Sequence, residues 1–492
     1  MGLLTLYSGL LLPWLGGALW LAYADSRFND RKQGNRFLQA GYGFFLGYAV
    51  LFLAIKASNQ LTGTVSWTGL MLFLLVFTAS GGLAVWRSRE QTMTSAVPRP
   101  APPGTALKIL TVIVSALMAI HLVFIAVEIF TLPVYPWDAW LVWVYRAKAW
   151  FLAGDMAEVV SRADWATGTS ADIYTIHAWR YPLFVSVIPY WAALSLGRWS
   201  ETLVNLPVLL AGLAIGMALY GQCREYGFSA RISLTTCYLM YSIPLFGTHI
   251  ALAGYADIWM AGFTGLGFIA LIRGVILHGN HAKAGFQFVL GLLMILFGIG
   301  VKNEGMVWLL AALALVILTN FRLRVPVLIV GSALALGAVA FALGISHIEL
   351  PLVGKLGMDN GRFVIPLIGK FRLEVHDIQE IYWNNFIRLG SWNLFWVLLA
   401  GSLILAFKPL KGLATCPARR TSLSFLLIFL ATQLFIFGFT SQGLWANTYT
   451  AINRLPLHFV PALLFAMLVI ARESLLQAEG FKATTGVSNR DT

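Results

Sequence analysis

Long stretches of the chain carry no acidic or basic side chain, and this feature most narrows what the chain can fold into. Six such stretches are 2–24, 37–55, 65–86, 232–253, 325–345 and 421–453. A helix needs about 20 apolar residues to cross the hydrocarbon core of a bilayer, and each stretch meets or nearly meets that length. Only 11% of the 492 residues are charged, against about 25% in a soluble domain. The sequence therefore predicts a polytopic integral membrane protein.

The apolar pattern predicts an all-α fold. We expect a transmembrane helical bundle of about 13 spanning helices, with interfacial helices in the first large outer loop. The predicted spans are 2–24, 37–55, 65–86, 108–132, 203–221, 232–248, 258–273, 285–301, 304–320, 325–345, 391–407, 422–441 and 455–471.

Basic residues in short loops set the predicted orientation, because cytoplasmic loops carry an excess of Lys and Arg. The loops that should be cytoplasmic for this reason are 25–36, 87–108 and 408–420. The N-terminus and the loops 131–182 and 346–390 are then outside. The apolar segment 183–197 is too short for a normal span, and every basic loop is cytoplasmic only if it does not cross. We therefore interpret it as re-entrant or interfacial.

Composition predicts a division of the chain into six segments. They are an N-terminal three-helix segment (1–90), a Pro-rich cytoplasmic linker (91–107), a transmembrane core with its outer loop 131–182 (108–345), a second outer loop over a cavity (346–390), C-terminal transmembrane helices (391–473) and a polar cytoplasmic tail expected to be disordered (474–492).

Two function classes can be set aside from charge and motifs. The net charge of +13 does not indicate nucleic-acid binding, because the cations lie in loops between apolar stretches and form no basic stripe. The chain also lacks a Gly-x-x-x-x-Gly-Lys-Ser/Thr loop, a Gly-x-Gly-x-x-Gly fingerprint and a Gly-x-Ser-x-Gly elbow. Nucleotide-driven chemistry is therefore not expected.

The first outer loop begins at Trp137-Asp138 and has the period of a helix. At 100° per residue, one face holds Trp140, Trp143, Ala147, Trp150 and Phe151. The opposite face holds Asp138, Val142, Tyr145 and Ala149, with Arg146 and Lys148 beside it. This pattern predicts a helix that lies on the membrane with its aromatic side chains in the lipid. Asp138 would then be a candidate site at the outer surface, or, alternatively, only the N-cap of that helix.

Other candidate residues lie near the outer ends of predicted helices, where buried charges usually mark a pathway or a site. They are Asp257 in a Gly-Tyr-Ala-Asp turn, Arg180 and Tyr181 in a Trp-Arg-Tyr-Pro run, Lys302 and Glu304, Arg362 in the loop 346–390, and Arg454 near the last span. Two simpler interpretations stay open. Lys302 and Glu304 could simply form an ion pair with each other and have no further role. Arg180 could be an ordinary interfacial arginine.

The order of these features resembles the GT-C superfamily of polytopic glycosyltransferases, nearest to its protein O-mannosyltransferase and aminoarabinose-transferase branch. An acid opens the first large outer loop, an aromatic-Pro-apolar segment follows, and a helix with Leu206-Pro207 near its start precedes the second acid of the Gly-Tyr-x-Asp turn. The resemblance covers roughly residues 108–320. Many members have Asp-Glu where this chain has Asp138-Ala139, and several have His or Lys before Pro-Pro where it has Arg180-Tyr181-Pro182-Leu183.

The resemblance implies roles for individual residues. Asp138 would be the general base, and Asp257 would orient the acceptor or, with Asp138, hold a divalent ion such as Mg²⁺ or Mn²⁺. Arg180, Lys302 and Arg454 would stabilise charge on a leaving phosphate. The remaining candidates for substrate binding are Arg146, Tyr181, Glu304 and Arg362.

The resemblance also implies a function. A hexosyl or pentosyl group would pass, with inversion, from a polyprenyl-phosphate-linked donor to a hydroxyl of a glycan, lipid or protein. The site would face the periplasm or exterior at a bacterial-type inner membrane, in cell-envelope glycan biosynthesis. The alternative is a polytopic transporter or lipid-linked-glycan flippase, which would place buried charges along several helices and broken helices in two matching halves.

Overall fold

A computed structural model of the chain describes residues 2–28, 35–89, 105–168, 173–176, 178–277, 279–320, 347–350, 354–365, 369–407, 416–449 and 451–487, with the single positions 328, 332 and 339. The protein is mostly helical. The first helices are α1 (Gly2–Phe28), α2 (Arg36–Thr62), α3 (Trp67–Arg89), α4 (Thr105–Thr131), α5 (Val144–Ala153), α6 (Arg162–Thr167), α7 (Phe184–Leu196), α8 (Leu206–Tyr226), α9 (Ala230–Tyr241) and α10 (Pro244–Ala251). The others are α11 (Asp257–Met260), α12 (Leu266–Ile276), α13 (His281–Ile299), α14 (Gly305–Asn320), α15 (Gln379–Trp383), α16 (Phe395–Phe407), α17 (Pro417–Phe439), α18 (Ala451–Leu457) and α19 (Val460–Val487).

The helices have the length and hydropathy of membrane spans. Within the described residues, eight helices are long and apolar enough to cross a bilayer, and the pair α18 and α19, bent by 58°, would make a ninth. The eight are Gly2–Phe28, Arg36–Thr62, Trp67–Ser88, Thr105–Thr131, Leu203–Tyr226, Asp257–Ile276, His281–Ile299 and Pro417–Phe439. The chain is thus an integral multi-pass membrane protein, as the sequence predicted.

Four of the 13 predicted spans do not appear in this set. The stretch 232–248 is broken between α9 and α10, because Pro244 has no N–H to continue the helical ladder and disfavours a helical conformation in the residue before it. The stretches 304–320 and 391–407 form helices of only 16 and 13 residues. The stretch 325–345 lies outside the described residues except for positions 328, 332 and 339.

The first compact unit comprises Met1–Leu266 and Leu296–Lys302. In it, α1 and α2 pack so closely that a Cβ on Gly47 would collide with the Pro13 carbonyl, as small residues allow in membrane helices. Helix α2 also packs against α8, where Gln222 Nε2 donates to the Tyr42 hydroxyl at 3.0 Å and that hydroxyl donates to the Leu266 carbonyl at 2.8 Å. The first three helices therefore belong to the same unit as residues 105–266.

Helix α7 is the short apolar segment predicted not to cross the membrane. Its 13 residues span about 20 Å at 1.5 Å per residue, less than the bilayer core of about 30 Å. Trp191 Nε1 donates to the Gly9 carbonyl at 2.9 Å, and a Cβ on Gly2 would lie 2.7 Å from the Leu196 carbonyl oxygen. Phe184, at the other end, contacts Phe52 with ring centroids 5.5 Å apart. Both ends of α7 thus meet the same end of the α1–α2 hairpin, which agrees with a re-entrant or interfacial position.

The second unit comprises Gly267–Ile295 and Asn303–Thr492. An aromatic core forms around Phe459, whose ring lies 4.6 Å from that of Trp308 and 5.4 Å from that of Phe268. Trp308 Nε1 donates to His458 Nδ1 at 3.1 Å, and both side chains are buried. The last helix, α19, continues to Val487, well beyond the predicted end of the span at residue 471.

The second unit also contains short strands, which the prediction of an all-α fold did not include. Strands β3 (His347–Leu350), β4 (Gly354–Asp359), β5 (Arg362–Ile365) and β6 (Gly369–Phe371) form an antiparallel sheet in that order. Asn360 and Gly361, with φ of 50° and 72°, form the tight turn between β4 and β5. An Asn-Gly pair is the strongest short hairpin signal, and our prediction of a loop at 346–390 overlooked it. In the first unit, β1 (Val159–Val160) and β2 (Tyr174–Thr175) pair in parallel.

Candidate functional site

Asp138 precedes an irregular helical turn in the first outer loop. Residues Ala139–Trp143 form one π-helical turn, in which the Val144 N–H bonds to the Ala139 carbonyl, and α5 follows directly. Asp138 is half-buried, and its side chain makes no capping hydrogen bond to this turn. The structure therefore does not support the interpretation of Asp138 as a simple N-cap. Single π-helical turns of this kind are frequent at functional sites.

The π-helical turn also changes which side chains are covered. Trp143, Ala147 and Trp150 are all buried. They are covered by protein and not by lipid, because α5 packs against α7. Trp140, predicted on the same face, is 44% exposed. The extra residue in the turn shifts the side chains before it relative to those after it. The predicted helix exists, but its aromatic face is not a lipid-facing surface.

Gly254 brings the turn before Asp257 against the turn after Asp138. Its φ is +105°, and a Cβ there would lie 2.6 Å from the Ala139 Cβ and 3.1 Å from Val144 Cγ2. Such a φ is accessible to glycine and strained for other residues. The two acid-bearing segments singled out from the sequence are therefore packed together, through the small residue that follows Asp138.

Asp257 is fully buried and forms an ion pair. Lys302 Nζ lies 3.3 Å from Asp257 Oδ1, and the side chains are 7% and 0% exposed, respectively. The sequence did not indicate this pairing, because Asp257 and Lys302 are 45 positions apart in the chain. Asp257 begins α11, and a second π-helical turn, Ala261–Gly265, follows it. Charges this deep are costly unless they are paired.

Arg146 is also fully buried, whereas the sequence placed it beside the polar face of a surface helix. Its Nη1 donates to the Tyr181 carbonyl at 3.2 Å and its Nη2 to the Trp179 carbonyl at 3.1 Å. Its Nε has no hydrogen-bond partner among the residues that the structure describes. Burial lowers the pKa of Arg146 to about 10, so the guanidinium is still charged at neutral pH. Arg146 thus ties α5 to the segment that leads into α7.

Arg180 and Tyr181 have different positions in that segment. Arg180 is exposed, and its guanidinium lies over the Trp179 ring at 4.8 Å from the centroid, a cation–π contact. The Tyr181 ring packs edge-on against Trp143 at 5.0 Å. The predicted phosphate contact of Arg180 stays a prediction.

A cavity of about 320 Å³ opens beside Arg146 in the first unit. Its wall includes Lys56, Asn59, Trp150, Glu158 and Trp179. Lys56 was not among the residues singled out from the sequence. One sequence feature could have identified Lys56 as a candidate. It is the single cation directly after the uncharged stretch 37–55.

The remaining candidates belong to the second unit. Arg362 is exposed at the start of β5, Arg454 is half-buried in α18, and Glu304 is half-buried just before α14. Their part in substrate binding stays a prediction, as does the predicted cover of a cavity by 346–390.

The donor set at Asp257 does not favour a divalent ion, because Lys302 already supplies the positive charge beside the carboxylate. In the described part of the chain, no group of three or more His, Cys, Asp or Glu side chains could hold a metal ion.

No protein-family model, curated protein or solved structure matches the chain. The resemblance to glycosyltransferases therefore rests on the order of the short motifs alone.

Proposed function

We propose that the protein is a membrane glycosyltransferase that moves a sugar from a polyprenyl-phosphate-linked donor to an acceptor hydroxyl. The observation that carries this proposal is the contact of Gly254 with Ala139. It packs the turn that bears Asp257 against the turn that bears Asp138, as a site built from both acids requires. The GT-C order of motifs supports the same assignment.

Asp138 is the proposed general base. It takes the proton of the acceptor hydroxyl while that oxygen attacks the anomeric carbon. The bond from the anomeric carbon to the phosphate oxygen breaks on the opposite face, so the lipid phosphate leaves with the electron pair and the anomeric centre inverts. A positioned base of this kind contributes about 10²- to 10⁴-fold to a rate. The half-buried position of Asp138 at the start of a helical turn supports access for an acceptor.

Asp257 and Lys302 are proposed to act as a pair. The ion pair keeps the Asp257 carboxylate charged although it is buried, so that this side chain can orient the acceptor. Lys302 supplies a fixed positive charge near the reacting groups, where it would stabilise the leaving phosphate. No metal ion is needed for either role.

The proposal includes the finer membrane topology predicted from the sequence. In it the broken segment of α9 and α10, the short helices α14 and α16, and the stretch 325–345 complete about 13 spans. The N-terminus and the loops 131–182 and 346–390 face the outside of a bacterial-type inner membrane. Acceptors at that face are a glycan, a lipid or a protein of the cell envelope.

The test compares Asp138→Asn with Asp155→Asn in the purified protein. Asp155 is an exposed acid of the same outer loop. Transfer from a polyprenyl-phosphate sugar should fall about 10²-fold or more in Asp138→Asn and stay unchanged in Asp155→Asn, with the same melting temperature in both. Transfer at the wild-type rate by folded Asp138→Asn would show that Asp138 is not the base.

The buried Asp257–Lys302 pair also favours a second candidate, a transporter or flippase, because charges inside spans often mark ion or substrate pathways. Reconstituted vesicles separate the two functions. A flippase would move a labelled lipid-linked sugar across the bilayer without cleaving it, whereas a transferase would release free polyprenyl phosphate.

A further inference from the structure

The described residues that line the cavity beside Arg146 have an excess of positive charge. Fully buried Arg146 lies on one side, contributed by α5, and half-buried Lys56 lies on another, near the end of α2. Among the described residues of the lining, Glu158 is the one acid. None of these three side chains forms an ion pair with any residue that the structure describes. The described part of the lining thus carries two cations and one exposed carboxylate.

Arg146 is the strongest sign that the cavity is a binding site. Removing a guanidinium from water is costly unless the charge is paired. The two carbonyls that Arg146 contacts are neutral, and its buried Nε meets no acceptor in the described part of the chain. A bound anion would supply both the missing charge and a hydrogen-bond acceptor.

Lys56 points to the same conclusion independently. It follows a stretch of helix without charged residues, and its ammonium makes no hydrogen bond to another described residue. The amides of Asn59 and Gln60, one turn further along α2, line the cavity with it. Amides and an ammonium on one helical turn are a suitable donor set for a polyoxygenated anion.

We infer that this cavity binds a phosphate group between Arg146 and Lys56. A phosphate ester carries up to two negative charges and three free oxygens. It can therefore contact two cations and two amides in separate walls. A ligand with a single carboxylate has only one charge and two oxygens and would match them less well. The volume of about 320 Å³ exceeds that of a single water, about 30 Å³, roughly tenfold. It therefore also accommodates the part of the ligand joined to the phosphate. The inference does not depend on the role proposed for Asp138.

Direct binding of labelled probes to the full-length protein in detergent tests this site. The probes are inorganic phosphate and farnesyl phosphate, with farnesol as the uncharged competitor. Lys56→Gln should weaken binding of the phosphate probe about tenfold or more, as expected for a lost hydrogen bond to a charged group. Glu158→Gln removes the opposing charge and should strengthen it. The matched control is Lys148→Gln, which removes an exposed cation of the same helix as Arg146 that pairs with Glu201 instead.

The probes also identify the source of the phosphate. Binding of both shows a site open to free phosphate, and binding of farnesyl phosphate alone shows a lipid headgroup site. Either result supports the inference if it has the expected dependence on Lys56 and Glu158. Equal binding by wild type, Lys56→Gln and Glu158→Gln, equal competition by farnesol, or no binding of either probe overturns it. Because no sugar transfer is measured, this outcome is separate from the test of Asp138.

Discussion

Gly254 lies against Ala139, with a φ of +105° and no room for a β-carbon. This contact joins two parts of the chain more than a hundred residues apart, one following Asp138 and the other preceding Asp257. Ala139 is fully buried there. The same contact explains why a residue as small as alanine follows Asp138. A longer side chain would push the two turns apart.

Substituting Gly254→Ala should therefore destabilise the first unit. The new Cβ would meet Ala139 and Val144 and would also adopt a strained φ, which by itself costs about 1–3 kcal/mol. Gly154→Ala is the matched control, since Gly154 has a φ of +81° and a Cβ added there would meet nothing within 4 Å. Thermal unfolding in detergent should show a larger fall for Gly254→Ala than for Gly154→Ala. Equal losses would mean that strain alone, and not the contact with Ala139, matters.

Ala139→Glu, which places a second acid directly after Asp138, should lower both stability and the proposed sugar transfer. A glutamate at this buried position would be desolvated without a partner, which costs several kcal/mol. Ala153→Glu adds the same side chain at an exposed position near the end of α5 and should have little effect. Melting temperature and transfer rate are the measurements, and higher activity in Ala139→Glu would contradict the packing argument.

The Asp257–Lys302 pair should show strong coupling in a double-mutant cycle. Either Asp257→Asn or Lys302→Met alone leaves one buried charge without its partner, at a cost of about 3–5 kcal/mol. The double variant should be more stable than either single variant. The exposed pair Lys148 and Glu201, with side chains 45% and 40% exposed, is the comparison and should give about 1 kcal/mol or less. Additive losses at Asp257 and Lys302 would show that the two charges do not interact.

The two ends of α7 should lie on the same side of the membrane. A cysteine at the exposed position Arg198 should react with an impermeant thiol reagent from outside, as should one at exposed Leu61 at the end of α2. A cysteine at Arg87, near the end of α3, should react from the cytoplasm. Native Cys416 is half-buried and is replaced first, while Cys223 and Cys237 are buried. Labelling at 198 from the cytoplasm alone would show that 183–197 crosses the bilayer.

The sequence predicted individual residues of the candidate site but not the contacts between them. Asp138 and Asp257 stood out because each is an acid at the end of an apolar stretch, which is a local property of the chain. Arg146 was singled out for its charge but placed wrongly, since ideal helical periodicity does not include the π-helical turn before it. Lys56 was missed because a cation at the end of a span is common, and only the fold places it across a cavity from Arg146.

The sequence by itself determined that this is a multi-pass helical membrane protein, because the length of an apolar stretch and the scarcity of charge decide that a segment partitions into lipid. It also determined which few polar residues need a structural or functional explanation, since burying a polar side chain within a membrane-spanning segment costs free energy. The tertiary structure alone decided that Lys302 neutralises Asp257 and that Gly254 packs on Ala139. Both contacts join segments far apart in the chain, and they depend on close approach of helices that no local pattern encodes.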